Sequence, residues 1–213
     1  MSELNPPTLR FEHTAAKGLS VILHPILLPS WLYLSLIFFT PSYILQIPPG
    51  MEWVLAAFIF ILTFIFPSVV MLLLVKLRMI SSITLTERIE RNGPILISAI
   101  FFFLTYYFLN YFGFIPVFGY YLLCATSISL LTMMINSVWK ISLHATGHGA
   151  TLATYLSLAM IVEIPMGLIA FAMVAGGLTA TARLRLQAHT QAEVYTGYLL
   201  GFVTMMLLFR IIS

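Results

Sequence analysis

Apolar positions in this chain run in long, nearly unbroken blocks. Neither the period-two alternation of a strand nor the one-faced pattern of a soluble helix is present. The blocks cover about Leu19 to Ile44, Trp53 to Val75, Ile95 to Phe112, Pro116 to Trp139, Gly149 to Ile164, Met166 to Thr181, and Val194 to Ile212. Apolar runs of roughly 20 residues are long enough to cross a bilayer as helices. The pattern therefore predicts an all-α polytopic transmembrane helical bundle of six to seven spans, and the missing alternation argues against a membrane barrel. Between the blocks stand turn signals: Pro48-Pro49-Gly50, Asn92-Gly93-Pro94, Gly113 to Pro116, and Glu163-Ile164-Pro165. Read as a tight turn between antiparallel helices, the last of these gives seven crossings. A polar N-terminal segment, residues 1–18, precedes a single membrane-embedded domain, residues 19–213. The first apolar run meets no small-residue cleavage pattern and is expected to be a retained span. His24 reads as a packing histidine, and Trp31 and Tyr33 as interfacial residues.

Composition removes several classes. Hydrophobic residues make up 61% of the 213 and charged residues only 8%, which leaves too little polar surface to cover a soluble domain. Cys124 is the single cysteine, so an internal disulfide and a cysteine metal cage are both excluded. The formal charge of +3 is small, and no nucleic-acid partner, cofactor or metal is expected. Placement of charge is more informative than its sum. With seven spans, the N-terminus, Lys76–Pro94, Lys140–His148 and Arg183–Glu193 all fall on one membrane face, and nine of the ten basic residues pool there, Arg210 excepted.

Two of those polar stretches carry candidate chemistry. In Ala182 to Glu193, His189 and Glu193 are four apart and share a helix face, so a carboxylate can hold the imidazole. Arg183 offers a planar fork for an anion. The same residues fit an ordinary capping box, with Thr190 as cap and Glu193 answering it, and basic flanks at a helix end. The other stretch, Lys140 to His148, places Thr146-Gly147-His148 before an expected helix, where free N–H groups favour an anion. Thr146 can donate or cap, Gly147 lets backbone approach, and His148 can deliver a proton. The charges of Lys76–Pro94, including Glu87, Arg88, Glu90 and Arg91, alternate in sign and suggest a short surface helix.

Together these stretches resemble the second and third signature motifs of the type 2 phosphatidic acid phosphatase superfamily. Ser-Gly-His becomes Thr146-Gly147-His148. Ser-Arg, five residues, His, three residues, Asp becomes Ala182-Arg183, His189, Glu193. Gly197 to Gly201 also looks like the small-residue final helix of that family. The resemblance covers roughly Lys140 to Gly201. It departs at Ala182 for Ser, Glu193 for Asp and Thr146 for Ser, and most at the first motif, Lys, six residues, Arg-Pro. Aligned on Pro94, the motif's Arg position holds Gly93 and its Lys position Thr86, with Arg88 and Arg91 nearby.

The resemblance implies metal-independent hydrolysis of a membrane lipid phosphate or pyrophosphate through a phosphohistidine. His189 is then the nucleophile, Glu193 its orienting partner and His148 the general acid. Arg183, Gly147, Thr146, Lys140, Arg88 and Arg91 would hold the phosphoryl group, with Arg185 and His144 as further candidates. Two alternatives remain open. One is a non-catalytic relative that binds an anionic lipid or stabilises a membrane complex. The other is a small transporter, for which Glu163 is the only candidate ionisable group near mid-membrane. The basic residues outside the site share its face, so the positive-inside rule predicts a cytoplasmic site, in a bacterial inner membrane.

Overall fold

The structure is a computed structural model and describes residues 7–40, 47–80, 88–114 and 116–212. Nine helices occur among the described residues, and no strand: α1 (Pro7–Ile22), α2 (Leu28–Phe39), α3 (Glu52–Phe60), α4 (Phe66–Lys76), α5 (Asn92–Tyr111), α6 (Pro116–Val138), α7 (Leu143–Ala159), α8 (Met166–Arg185) and α9 (Gln191–Ile212). Among the described residues, six helical stretches are long and apolar enough to cross a membrane: Glu12–Phe39, Glu52–Lys76, Ile89–Tyr111, Val117–Val138, Met166–Arg185 and Gln191–Ile211. Their outward faces carry exposed large apolar residues such as Phe38, Leu72, Phe103, Phe171 and Leu207. Such faces are stable only against lipid, which makes this an integral membrane protein.

Helix α7 is the exception that completes the bundle. Its 17 residues rise about 25 Å, short of a typical hydrocarbon core of roughly 30 Å. Most of it is buried, from Ala145 to Leu158, so it needs no lipid-facing side. That explains its weaker apolar signal. Small residues let it pack tightly against α9. A Cβ on Gly149 would collide with the Tyr198 carbonyl, and one on Gly201 with the Thr146 carbonyl. One on Gly197 would lie 2.8 Å from the Ser142 carbonyl. Such glycine seams bring membrane helices to backbone contact, where van der Waals packing replaces the absent hydrophobic drive.

The second span is continuous but not uniform. A π turn, Ile61–Ile65, joins α3 to α4, and the Phe66 N–H reaches back to the Ile61 carbonyl. Pro67 follows at once. Proline has no N–H and its ring clashes with the carbonyl four residues earlier, and the wider turn relieves both problems. Several helices close alike at the other extreme. At the end of α8 the Ala188 N–H bonds the Arg183 carbonyl (3.1 Å) and the Gln187 N–H bonds that of Leu184 (2.9 Å). This is a Schellman cap, and Gln187 occupies its left-handed position at φ 51°.

Some boundaries differ from those the sequence suggests. α1 runs through the expected division at residue 18. α7 begins at Leu143 and ends at Ala159, several residues before the expected Gly149 to Ile164, because Ser142 caps its start by accepting the Ala145 N–H (3.4 Å). Glu163 lies in the exposed turn before α8, where a loop was expected. Tyr33 is core rather than interfacial: it is 1% exposed and donates to the Glu52 carbonyl at 3.0 Å. The surface helix expected within Lys76–Pro94 falls in part on residues 81–87, outside those described, as does Thr86. Its last turn, Ile89–Arg91, is a 3-10 turn that leads directly into α5.

Candidate functional site

One cavity of about 970 Å³ gathers the polar ends of the bundle. Its wall takes His13 and Lys17 from α1, His24 from the α1–α2 junction, and Arg91 from the entry to α5. Lys140, His144, Thr146 and Gly147 come from the approach to α7 and its first turns, and Arg183 and His189 from α8 and the loop after it. Four of the nine basic residues expected to pool on one face, Lys17, Arg91, Lys140 and Arg183, meet on this wall. Among the described residues, every charged residue on this wall is basic. Deeper in, the wall turns apolar, with Phe64, Met71, Phe102 and Ile128. A cavity with a cationic end and an apolar body matches an amphiphile whose head group is an anion.

The His189–Glu193 pairing forms as the spacing requires. Nδ1 of His189 lies 2.7 Å from Oε2 of Glu193, with the side chains 2% and 12% exposed. The capping box forms too. The Thr190 N–H reaches Oε2 of Glu193 (3.4 Å) and the Glu193 N–H reaches Oγ1 of Thr190 (3.3 Å). The structural and chemical readings of Glu193 are thus both satisfied by one carboxylate. Because Glu193 holds Nδ1, Nε2 is the ring nitrogen left for chemistry. Burial lowers the His189 pKa to about 4. The Glu193 hydrogen bond opposes that shift, and the charges of Arg91 and Arg183 reinforce it. The ring is therefore neutral at pH 7, the form a nucleophilic nitrogen needs.

Arg183 and Arg91 approach this ring from different helices. Arg183 is in the last turn of α8, and its Nε is buried with no hydrogen-bond partner. Arg91 is 6% exposed, and a short polar lattice behind it fixes its turn. Nδ2 of Asn136 donates to the Arg88 carbonyl and to Oδ1 of Asn92, both at 2.9 Å, and Nδ2 of Asn92 donates to Oγ of Ser137 at 3.1 Å. Asn136, fully buried in α6, is a positioning residue the sequence reading did not single out. Its only signal was an amide inside an apolar run.

Other expected residues are placed differently. Arg88 is half-buried and does not line the cavity. Arg185 points away and pairs with Glu12 at 3.1 Å on the exposed surface. Thr146, Gly147 and His148 lie inside α7 rather than before it. The Thr146 N–H and Oγ1 both bond the Ser142 carbonyl, at 2.9 and 3.0 Å. Gly147 is past the first four N–H groups, so its amide belongs to the helix ladder. What Gly147 provides is room: a Cβ there would sit 2.7 Å from Leu28 Cδ1 and 3.2 Å from Pro25 Cβ. His148 is 2% exposed, and its Nε2 sits 3.2 Å from the Leu23 carbonyl and 3.1 Å from Oγ1 of Thr179. It is not on the cavity wall. Instead His24, expected to be mere packing, and His144 face the cavity, their rings edge to face at 4.9 Å.

The fold and the site define the class: an all-α polytopic membrane protein with a histidine-rich, cationic cavity at one end of its bundle. Comparison with protein-family models, with curated proteins and with solved structures found no match.

Proposed function

We propose that this protein hydrolyses a membrane lipid phosphate or pyrophosphate through a phosphohistidine on His189. The observation that carries the reading is His189, its ring held by Glu193 at 2.7 Å, on the wall of a cavity whose charged lining among the described residues is wholly basic. Glu193 keeps the proton on Nδ1, so the Nε2 lone pair is aimed for attack on phosphorus. As the N–P bond forms, the ester P–O bond breaks and the lipid alcohol leaves with a proton. Water then attacks the phosphohistidine, releasing phosphate and restoring the imidazole. Arg183 and Arg91 stabilise the charge spread over the phosphoryl oxygens, the role cations play in phosphoryl transfer. No metal is required by this scheme. The apolar body of the cavity takes the lipid tail. The pooling of basic residues on the site's face supports a cytoplasmic orientation, and a bacterial inner membrane is the setting we propose.

A second reading, a protein that binds an anionic lipid head group without turnover, is favoured by one observation. His148, the expected proton donor, is held between Leu23 and Thr179 and does not line the cavity. Phosphate release from phosphatidic acid, phosphatidylglycerophosphate and a prenyl pyrophosphate, with a chelator present and His189→Ala alongside, separates the two. Release lost in the variant supports hydrolysis. Head-group binding with no release above that variant supports the binder.

A further inference from the structure

We propose that His144, steadied by His24, handles the proton of the reaction in place of His148. The inference rests on the hydrolytic reading above and assigns a further catalytic residue to it.

The two candidate histidines of α7 are four positions apart, yet only one meets the cavity. Nε2 of His148 is taken by the Leu23 carbonyl and Oγ1 of Thr179. His144 lines the cavity with Arg183 and His189. Its Nε2 lies 3.0 Å from the Ser20 carbonyl, which accepts and so fixes the hydrogen on Nε2. Nδ1 is then the lone-pair nitrogen, with a settled tautomer. Nδ1 of His24 accepts the Ile26 N–H at 3.4 Å, so that ring too is oriented by backbone, and its edge-to-face contact steadies the His144 plane. Position in the chain reinforces this. His144 is two residues after Ser142, whose N–H bonds the Glu193 carbonyl at 3.2 Å. The backbone therefore ties the start of α7, with His144, to the start of α9, with the partner of His189.

The proton balance closes on one nitrogen. A phosphomonoester monoanion brings a proton, and Nδ1 of His144 passes it to the ester oxygen as the P–O bond breaks. Nδ1 then takes a proton from the water that attacks phosphohistidine 189 and returns it to the released phosphate. No other co-reactant is needed.

The test compares an alkyl and an aryl substrate. Dodecyl phosphate must expel a strongly basic alkoxide, which needs a proton, whereas 4-nitrophenyl phosphate expels a phenolate that does not. Full-length wild type, His144→Asn, His144→Gln, His148→Asn and His189→Ala are purified in detergent and checked for equal helix content and melting. The expected result is a kcat loss of about 100-fold on dodecyl phosphate in both His144 variants and under about 10-fold on nitrophenyl phosphate. His148→Asn is expected to treat the two substrates alike. Leaving-group-selective loss in His148→Asn, or none in either His144 variant, overturns the assignment while leaving the His189 reading standing. Wild-type release no greater than that of His189→Ala on both substrates overturns the hydrolytic reading itself, and the assignment with it.

Discussion

At the scale of single residues, Glu193 carries two loads that can be separated. It caps α9 through the box with Thr190 and holds the His189 ring. Glutamine serves at that capping position nearly as well, but its amide cannot stabilise the positive ring of a phosphohistidine. Glu193→Gln is expected to keep its melting temperature within a few degrees while phosphate release falls on the order of 100-fold. Proton linkage at His189 has a definite sign. Its pKa is lowered to about 4 by burial first, against an ordinary value near 6.5 in the unfolded chain. Its contribution to stability is therefore complete above about pH 6.5 and is lost as pH falls from there towards 4. Melting curves at pH 7 and pH 5 should show a larger drop for wild type than for His189→Asn. Gln187 holds a left-handed conformation that glycine adopts without penalty. Gln187→Gly is expected to be neutral or to stabilise by up to about 1 kcal/mol, read from chemical denaturation.

At the scale of elements, the α7–α9 seam matters most, because it sets the register between His144 and the His189–Glu193 pair. A side chain at Gly201 meets the Thr146 carbonyl, which is backbone and cannot swing aside. Gly201→Leu should separate the two helices and lower the yield of folded protein more than the same change at Gly177, where a Cβ meets nothing within 4 Å. Size-exclusion profiles and melting of the two variants check this. The seam also shows what the sequence could convey. The contact of His189 with Glu193 and the capping box were legible because both are local, within four residues on one chain segment. That His144 rather than His148 lines the cavity was not, because it depends on where α7 starts. Ser142 begins the helix about one turn before Thr146, and His148 meets α8 at Thr179. Nothing near Ser142 resembles a full capping box, so a glycine turn at Gly147 was the natural reading. His24 was missed for the same reason: its neighbours on the wall come from α7 and α8.

At the scale of the whole molecule, the hydrophobic blocks determined nearly everything about the architecture, since block length and block ends are set by bilayer thickness and backbone satisfaction. The exception, α7, is short because protein rather than lipid surrounds it. Gathering of the basic stretches makes a directional prediction. With Cys124 buried and free, a Cys124→Ala background permits single-cysteine mapping. Cysteines at exposed Leu77 and Gln187 should react with an impermeant thiol reagent from one side of sealed vesicles, and one at exposed Ile161 from the other. Reaction of all three from the same side would rule out a full crossing by α7.

The π turn ahead of Pro67 bears on how this protein could tolerate a lost codon. Each helical residue advances the chain by about 100°, and the wide turn Ile61–Ile65 holds one residue more than an α-helix would use. Deleting one residue elsewhere in a span turns everything beyond it away from its partners. Deleting one here removes the surplus and leaves a span still long enough to cross, at the cost of setting the Pro67 ring back against the carbonyl four residues earlier. The change would instead appear in the cavity, where Phe64 from the turn and Pro67, Ser68 and Met71 just after it share a wall. Length variation at this point would therefore reshape the apolar part of the cavity while leaving His189 and the basic residues around it where they are.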